Sequence, residues 1–501
     1  MMEDFSDLPV GWAKARLEDI VSSNGVFSDG DWIESKDQDQ NGSVRLVQLA
    51  DIGEMRFLDK SQRYMDAERA EAMGCMYLCK GDLLISRLGD PLGKACLYPG
   101  NDPRAVTAVD VCVLRPCHEG VEPRLFGFFL NSSVLRREID AQSSGTTRKR
   151  ITGKKLKSLP VRVPPTNEQR RIVDKIESLF AQLDHGEASL RDVQKLLARY
   201  RQSVLKAAVT GQLTADWRAE NADRLESGRD LLERILKARR ENWQGRGKYK
   251  EPAAPDTRDM PELPEGWVWT SVDQILRAGL SNGRSVRDAQ EGFPVLRLTA
   301  LKDGVIDLSE RKIGAWDAEK AEPYLVRKGD ILVGRGNGSK KLVGRGGLVD
   351  VEPDQVAYPD TMIRIPVLLG TINPEWFLQL WNSPFMRSQV EESAKTTAGI
   401  YKINQTDIRG FKVPLPAVEE QNEIVERVYE AFDKIRSLER WCATELTRST
   451  ALRQSILKDA FAGKLVPQDP ADEPASELLA RIRSERDAAA PKKRTRKKVT
   501  A

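Results

Sequence analysis

Histidine, the side chain most often used for proton transfer near neutral pH, is almost absent from this sequence. Only His118 and His185 occur among 501 residues, and His185 stands beside Gly186 inside a segment with helical periodicity. A histidine at such a place usually serves as a solvated polar residue. The sequence therefore predicts no histidine-dependent nucleophile, and we expect no catalytic residue in this chain.

The six cysteines offer thiols that could bind zinc. Cys75 and Cys79, with Cys112 and Cys117-His118 further along the chain, approach the composition of a zinc site, but their spacing is irregular. The corresponding positions of the internal repeat described below hold no cysteine. We therefore expect free, mostly buried thiols and no metal site.

Two short segments resemble cofactor-binding motifs. Residues 382–385, Asn-Ser-Pro-Phe, are close to the motif with which amino-methyltransferases hold an adenine amino group. A serine replaces the first proline and no glycine-rich loop for S-adenosylmethionine accompanies the segment, so we interpret it as a turn at a helix end. Residues 334–338, Gly-Arg-Gly-Asn-Gly, lack the Gly-Lys-Ser/Thr ending of a phosphate-binding loop. That segment is either a generic loop or a loop that faces DNA.

Basic, threonine-rich segments stand at corresponding places in the two halves of the chain. Residues 146–155 contain five cations, and residues 395–405 combine lysines with threonine, asparagine and glutamine. A run of charge is often only a solvated surface, but these side chains suit phosphate anchoring and base-edge contacts. With the loop positions near 87 and 335, the candidate DNA-contact residues are Arg87, Thr146, Thr147, Arg148, Lys149, Arg150, Lys154, Lys155, Arg335, Asn337, Lys340, Lys341, Lys395, Thr396, Thr397, Tyr401, Lys402, Asn404 and Gln405.

Net charge alone does not indicate a nucleic-acid partner. The chain carries a net charge of +4, and six of its cations lie in residues 492–498, so the remainder is close to neutral. That basic tail is either a non-specific DNA contact or a solubilising end. The sequence has an acidic N-terminus and no run of about 18 apolar residues, so we expect a cytoplasmic protein without a membrane span.

A duplication of about 250 residues organises the chain. The pattern Leu-Pro-x-Gly-Trp at residues 8–12 returns at 263–267, and Lys-Gly-Asp-(Leu/Ile)-Leu at 80–84 returns at 328–332. A Glu-Gln pair follows near the end of each copy, in the same order. Short apolar runs bounded by glycine and proline fill the first part of each copy, which predicts two globular modules of mixed α/β structure.

A long helix is predicted to end the first copy. Apolar residues recur every seven positions from Ile176 to Val204, which indicates a packing seam. Thr166 and Gln169 fit a capping box, and Gly211 is placed to end the helix in a left-handed conformation. About forty residues span about 60 Å. The residues predicted to pack the two long helices on each other or on a partner are Ile176, Leu183, Leu190, Leu197, Val204, Val428, Ile435, Leu452 and Ile456.

The second copy repeats the helix over about residues 419–462, with a less regular seam. Cys442 and Ser449 occupy heptad positions there, and Val418 replaces the capping hydroxyl. Shorter charged segments after each long helix, residues 230–240 and 476–482, also have helical spacing of their apolar residues.

Nearly end to end, the chain resembles the specificity subunit of type I restriction-modification systems. The resemblance is carried by the paired openings and Lys-Gly-Asp segments above, and by two further pairs of segments. Residues 163–169 match 415–421, each ending in Glu-Gln, and residues 203–213 match 455–465. Recognition domains vary within such proteins, so the resemblance implies no particular target sequence.

The resemblance implies a mixed α/β (α+β) fold with a pseudo-two-fold internal repeat. Two globular target recognition domains would be separated by two long antiparallel coiled-coil helices. The expected boundaries are 1–160 for the first recognition domain, 161–214 for the first helix, 215–262 for a charged helix and linker, 263–412 for the second recognition domain, 413–465 for the second helix, and 466–501 for a C-terminal helix and basic tail.

The same resemblance implies a non-catalytic subunit that reads a bipartite target in double-stranded DNA. Two modification (methyltransferase) subunits would dock on its helices and supply S-adenosylmethionine, and restriction subunits would add ATP- and Mg²⁺-dependent functions; this subunit would bind no cofactor itself. Two other classes stay open at this point. One is a non-enzymatic protein-assembly scaffold built on the paired helices, and the other is a stand-alone DNA methyltransferase.

Overall fold

The structure is a computed structural model that describes residues 8–145, 148–243, 247–397 and 399–489. It divides into two compact units. Unit 1 comprises the described residues up to Leu190 and from Ala443 onward, and unit 2 comprises Arg191–Cys442. Both divisions fall inside long helices, so each unit contains part of both helices. Within the described residues, no helix is long and apolar enough to cross a membrane.

Unit 1 is mixed α/β. The strands are β1 (Ala13–Arg16), β2 (Val26–Asp29), β3 (Val44–Val47), β4 (Tyr64–Met65), β5 (Leu83–Ser86), β6 (Ala95–Leu97), β7 (Ala105–Thr107), β8 (Val111–Arg115) and β9 (Pro160–Val163). One sheet has the antiparallel order β2-β8-β5-β6, a second has the order β4-β3-β7, and β1 pairs with β9. The short helices are α1 (Ala67–Ala72), α2 (Pro123–Leu130), α3 (Ser133–Gln142) and α4 (Gly153–Lys157).

Two helices of 44 residues, α5 (Thr166–Val209) and α12 (Val418–Phe461), follow the two globular parts. At about 1.5 Å per residue each is about 66 Å long. The predicted shorter helices after them are confirmed as α7 (Gly228–Glu241) and α13 (Ala475–Ala489). One further helix, α6 (Ala215–Asn221), connects α5 to α7.

Unit 2 has a similar plan. The strands are β10 (Val268–Ser271), β11 (Ser281–Asn282), β12 (Asp288–Leu296), β13 (Leu301–Lys302), β14 (Val305–Ile306), β15 (Arg311–Gly314), β16 (Ile331–Gly334), β17 (Gly336–Asn337), β18 (Gly346–Leu348), β19 (Met362–Ile365), β20 (Lys395–Thr397), β21 (Ile400–Lys402) and β22 (Lys412–Leu415). The largest sheet has the order β11-β19-β16-β18-β14-β13, and smaller sheets are β10-β22, β12-β15 and β17-β21-β20. The helices are α8 (Ala318–Ala321), α9 (Pro374–Trp381), α10 (Pro384–Ser393) and α11 (Gln405–Gly410).

Each unit completes its core with the beginning of one long helix and the end of the other. In unit 1, Ile172 and Ile176 of α5 are buried in the same cluster as Leu457 and Phe461 of α12. In unit 2 the roles are reversed, and the end of α5 is buried with the beginning of α12. The two helices therefore run antiparallel within each unit, as predicted.

One set of side-chain contacts recurs in both halves of the helix pair. In unit 2 the Arg201 guanidinium lies 4.9 Å from the centre of the Phe432 ring and 3.6 Å from the Glu439 carboxylate. In unit 1 Arg453 lies 5.0 Å from the Phe180 ring and 3.0 Å from Glu187. A shift of 252 residues converts the first trio into the second, so the pseudo-two-fold repeat holds at the level of single contacts.

The heptad positions describe most of the helix seam. Ile176, Leu197, Val204, Val428, Ile435 and Ile456 are buried, and Leu183 and Leu190 are half-buried. The seam prediction is wrong for Leu452, which is 46% exposed. Ser449 takes the buried position three residues earlier, because its hydroxyl donates a 2.8 Å hydrogen bond to the Glu187 carboxylate. Cys442 is also fully buried in this seam.

The ends of the long helices follow the glycine prediction but not the capping prediction. Gly211 and Gly463 both have a φ of +70°, which confirms the left-handed termination. The predicted capping box of α5 is wrong. The Thr166 hydroxyl instead donates to the Gly120 carbonyl. The Gln169 side-chain oxygen accepts a hydrogen bond from the Glu122 amide, and its side-chain nitrogen donates to the Pro164 carbonyl.

The repeated sequence motifs meet in the structure as a clamp between the opening segment of each repeat and the start of the long helix that ends the same repeat. The Trp12 indole donates a 3.0 Å hydrogen bond to the Glu168 carboxylate, and Trp267 donates a 2.8 Å bond to Glu420. The glutamine that follows each clamp glutamate, Gln169 or Gln421, accepts a hydrogen bond from a backbone amide and is fully buried. Gly11, the residue before Trp12, adopts the positive φ of +81° that the turn leading into the clamp requires.

The Lys-Gly-Asp motif is a turn whose lysine is exposed and whose aspartate is buried in both units. Asp82 accepts the Cys79 amide at 2.7 Å and forms a two-pronged ion pair with Arg115. Asp330 accepts the Arg327 amide at 2.9 Å and lies 3.4 Å from Arg364. Each aspartate therefore ties the turn before its strand to a cation, which explains why the motif recurs in both halves.

The two clamps differ at the second oxygen of the glutamate. In unit 2 the Glu420 Oε1 accepts hydrogen bonds from Thr214, at 2.7 Å, and from Arg218, at 2.9 Å. In unit 1 the Glu168 Oε1 is buried without a hydrogen-bond partner. Burial raises the pKa of Glu168 above its ordinary value, and only its bond from Trp12 and the charge of Arg171 oppose this rise.

We predict opposite effects for Glu168→Gln and Glu420→Gln. An acid whose pKa is raised by folding loses stability as the pH rises above its unfolded value of about 4.5. A neutral amide removes that cost, so Glu168→Gln should increase the hydrogen-exchange protection of β1 at pH 7.5 and have little effect at pH 5. Glu420→Gln loses the Arg218 ion pair and should reduce the protection of β10 at both pH values, by about tenfold. Loss of protection in both variants at pH 7.5 would contradict the unpaired state of Glu168.

Candidate nucleic-acid interface

The second basic segment forms a small three-stranded sheet in unit 2. Strands β20 and β21 make a hairpin, and β17 pairs with the other edge of β21. The register places Lys395 opposite Lys402, and Lys402 opposite Gly336. Because cross-strand neighbours share a face of a sheet, the two lysines lie on one face, where a glycine leaves the third position without a side chain.

The cations on and beside this sheet are exposed. Lys395 and Lys402 are joined by Lys340 and Lys341 in the turn that follows β17. Within the residues that the structure describes, none of these four ammonium groups forms an ion pair. Lysines without acidic neighbours maintain a positive potential that suits the phosphates of a duplex.

Several predicted contact residues of unit 2 have structural partners. The Asn404 side chain accepts the amides of Thr406 and Asp407 and so caps α11. Gln405 donates a 3.1 Å hydrogen bond to Asn282, and the Asn337 side chain accepts the amide two residues further on. Tyr401 packs partly against the core. The remaining members are Thr396, which is exposed, Arg335, which is half-exposed, and Thr397, of which the structure describes only the backbone.

Unit 1 carries the corresponding hairpin in a shorter form. Ser144 and Arg150 exchange two backbone hydrogen bonds of 2.9 and 2.8 Å, and Leu88 bridges to the same arginine. Leu88 and Arg150 therefore correspond to Gly336 and Lys402 of unit 2. Thr146 and Thr147 lie outside the described residues.

The cations of the first hairpin are partly neutralised by acidic neighbours. Lys149 lies 3.5 Å from Asp140, and Arg150 lies 3.3 Å from Asp110. Lys155 donates to a backbone carbonyl at the end of α3. In the described part of this segment, the exposed cations without an ion pair are Arg148, Lys154 and Lys155, compared with two that are paired. The first hairpin is therefore less positive than the second.

Arg87 is a framework residue in this structure. Its guanidinium lies 2.6 Å from the Asp29 carboxylate and donates to the carbonyls of Val109 and Ile151, and only 5% of the residue is exposed. Arg87 is therefore not part of the exposed hairpin surface, because the carboxylate and the two carbonyls bind its guanidinium in the interior of unit 1. Arg335 has the same backbone position and is half-exposed.

Sequence reasoning missed one cation near the second hairpin. Arg345 is exposed and precedes β18, and its carbonyl accepts the amide of Gly334, the last residue of β16. The signal was present, because Arg345 follows Lys341 by only four residues. The sequence alone did not show that the chain turns back beside the end of β16 at this residue.

The segments considered for other chemistry have structural roles. Asn382 lies at the end of α9, and its amide exchanges two hydrogen bonds with the backbone of Gly346, as Asn131 does with Ala95 in unit 1. The predicted helix-end turn is thus confirmed. The six cysteines are free, and no group of three or more possible metal ligands occurs within the described ranges. Burial raises the pKa of Cys112 to about 12.

Comparison with known proteins gives one consistent result. The family model described as "Type I restriction modification DNA specificity domain" matches this chain twice, at residues 9–190 and 264–446. The chain is 30% identical over 395 residues to the type I restriction enzyme EcoKI specificity subunit of Escherichia coli K12, covering 77% of this chain and 76% of that protein. It is 31% identical over 508 residues to the EcoBI specificity subunit of Escherichia coli, covering 97% and 95%.

Solved structures share the fold at low sequence identity. The HsdS subunit of Thermoanaerobacter tengcongensis matches with a TM-score of 0.51 and 18% identity, covering 93% of this chain and all of that one. A chain from a study of complex assembly and conformational transition of the type I R-M system matches with a TM-score of 0.58 and 18% identity, covering 91% and 99%. These matches support the fold of two modules joined by long helices.

We predict that the second hairpin contributes to duplex affinity through charge. Lys395→Ala with Lys402→Ala should weaken binding of a non-specific duplex by the full-length protein at low salt by about tenfold. It should also lower the slope of log affinity against log salt by about two, because two phosphate contacts are lost. Lys237→Ala with Lys434→Ala removes two exposed lysines that also lack an ion pair among the described residues, elsewhere on unit 2, and serves as the control. Equal losses in the two variants would show that net charge, rather than the hairpin, controls affinity.

Proposed function

The chain belongs to the family of type I restriction-modification DNA specificity subunits, and we propose that it reads a split DNA target, one half with each unit. The observation that carries the proposal is the pair of corresponding basic hairpins. Each pairs with the segment just after the strand that follows a Lys-Gly-Asp turn, and each occurs in one of the two segments that match the specificity-domain model. One chain thus presents two related but chemically different surfaces.

The difference between the hairpins supports two different half-targets. The second hairpin presents Lys395 and Lys402 side by side, whereas Arg150 of the first pairs with an acidic neighbour. Charge and side-chain geometry together select bases and phosphates. A pair of identical surfaces would favour a palindromic target, so the dissimilar surfaces favour an asymmetric bipartite one.

The helices α5 and α12 are proposed to set the spacing between the half-targets. Each is an uninterrupted helix of 44 residues, and a glycine with positive φ follows the end of each helix. Because an α-helix rises about 1.5 Å per residue, a continuous helix keeps its two ends at a fixed separation. We further propose that two modification subunits dock on these helices. Those subunits would supply S-adenosylmethionine and transfer its methyl group to adenine, and restriction subunits would add functions that depend on ATP and Mg²⁺.

Within such a complex this chain is the non-catalytic recognition subunit. The family match disfavours a general protein-assembly scaffold, and the unpaired lysines of the second hairpin suit phosphate better than a protein surface. The stand-alone methyltransferase is disfavoured by Asn382, whose side-chain amide is already occupied by the backbone of Gly346.

An exchange of recognition domains tests the proposal. The protein is co-expressed with its modification subunits, and methylated adenines in host DNA are mapped by single-molecule sequencing. The wild type should give a split motif with a fixed spacer. Replacing residues 1–160 with the corresponding part of another specificity subunit should change one half of the motif, and replacing 263–412 should change the other half. A motif that changes in both halves, or in neither, after a single exchange would overturn the assignment of one half to each unit.

A further inference from the structure

The second hairpin carries an exposed apolar residue on its cationic face. Ile400 begins β21 and is 44% exposed. It stands two positions before Lys402 on the same strand, so the two side chains lie on one face. Both border the space that Gly336 leaves empty, because a Cβ on that glycine would lie 3.5 Å from the Lys402 Cγ and 3.6 Å from the Ile400 Cγ2. An isoleucine cannot bind a phosphate, so the charge of the hairpin does not account for this residue.

The corresponding position in the first hairpin holds an arginine. Arg150 of unit 1 corresponds to Lys402 of unit 2, because each pairs with the segment just after β5 or β16. The next residue in each unit donates an equivalent backbone hydrogen bond, of 3.0 Å in unit 1 and 3.1 Å in unit 2. Two positions before this pair stand Arg148 and Ile400. Arg148 is exposed and forms no ion pair among the described residues.

The dimensions of the second hairpin match the major groove of a DNA duplex. Lys395 lies opposite Lys402, and the pair formed by residues 397 and 400 lies two positions further along the hairpin. At about 3.4 Å per residue, that distance is about 7 Å. The major groove is about 8.5 Å deep and about 12 Å wide, so it admits a two-stranded ribbon. When the two lysines are level with the phosphates, Ile400 reaches the edges of the bases.

Arginine and isoleucine recognise different groups on the edge of a base. An arginine can donate two hydrogen bonds to O6 and N7 of guanine, which no other base offers in the major groove. An isoleucine has no hydrogen-bonding group, and the C5 methyl of thymine is the apolar group that a base presents there. The same backbone position therefore carries two different base preferences in the two units.

We propose that Arg148 and Ile400 determine specificity at corresponding positions of the two half-targets. Arg148 selects a guanine in the half that unit 1 reads, and Ile400 selects a thymine, through its methyl group, in the half that unit 2 reads. This inference rests on the proposed function, because it takes each hairpin as a reading element for one half-target. It adds the base and the chemical group that one side chain of each unit recognises.

Substitution at each position, followed by sequencing of methylated adenines in the co-expressed system, tests the assignment. Arg148→Ala should make one guanine of the unit 1 half tolerant of other bases, with methylation of the altered sites rising at least about tenfold. Ile400→Ala should make one thymine of the unit 2 half tolerant, by about fourfold. Each variant should leave the other half unchanged. The matched controls, Lys154→Ala and Val351→Ala, remove an exposed cation of unit 1 and an exposed apolar residue of unit 2, and should leave the motif unchanged.

Base analogues test the recognised groups directly. The purified complex competes for duplexes that carry the sequenced motif with one base replaced. Deoxyuridine in place of the thymine lacks one methyl group, so it should weaken binding of the wild type by about fourfold and have no effect on Ile400→Ala. 7-Deazaguanine in place of the guanine lacks the N7 acceptor, so it should weaken binding of the wild type by about tenfold and have no effect on Arg148→Ala.

A change of specificity keeps the test independent of destabilisation. Ile400→Arg should change the preferred base at the same position from thymine to guanine. An unchanged motif in either alanine variant, or an analogue that weakens the wild type and its matching variant equally, would overturn the inference. Loss of the modification subunits from the Ile400→Ala complex would assign that residue to assembly and would also overturn it. A wild type that yields no split motif would remove the proposed function, and this inference with it.

Discussion

The structure depends on two cores that are each completed by the ends of the two long helices. Each unit buries the beginning of one long helix with the end of the other, so the two helix ends that share a core are more than 200 residues apart in the sequence. The clamp between Trp12 and Glu168, with its counterpart in unit 2, attaches the first turn of each helix to the strand pair that precedes it. Apolar burial supplies most of the stabilisation, and the clamp fixes the direction in which each helix leaves its unit.

The internal repeat preserves the buried contacts of the framework, whereas the exposed surface residues differ between its two copies. The clamp tryptophans, the buried aspartates of the Lys-Gly-Asp turns and the arginine contacts of the helix seam all recur. The hairpin charges and other exposed side chains of the hairpins do not recur. A duplicated framework can keep its packing while its exposed positions diverge, because an exposed substitution usually changes stability by less than about 0.5 kcal/mol.

The candidate DNA-contact residues show how far spacing and residue type can predict a site. The two basic segments were identified correctly as corresponding elements, since their order and offset are visible in the sequence. Their individual roles were not predictable. Asn404 caps a helix, Arg87 is held inside unit 1 by Asp29, and Arg345, four residues after Lys341, is an exposed cation that the sequence analysis did not select. Each of these outcomes depends on a partner that only the folded chain brings within hydrogen-bonding distance.

The sequence by itself determined the duplication, the two long helices with their glycine ends, and the resemblance to a DNA specificity subunit. These features are local or periodic, so residue types at regular spacing are enough to define them. Only the tertiary structure decided that Glu168 has a buried oxygen without a partner while Glu420 is satisfied by Thr214 and Arg218. It also decided which heptad residues are covered and which remain exposed. Burial and pairing depend on distant segments that meet only in the folded chain, and no local pattern records them.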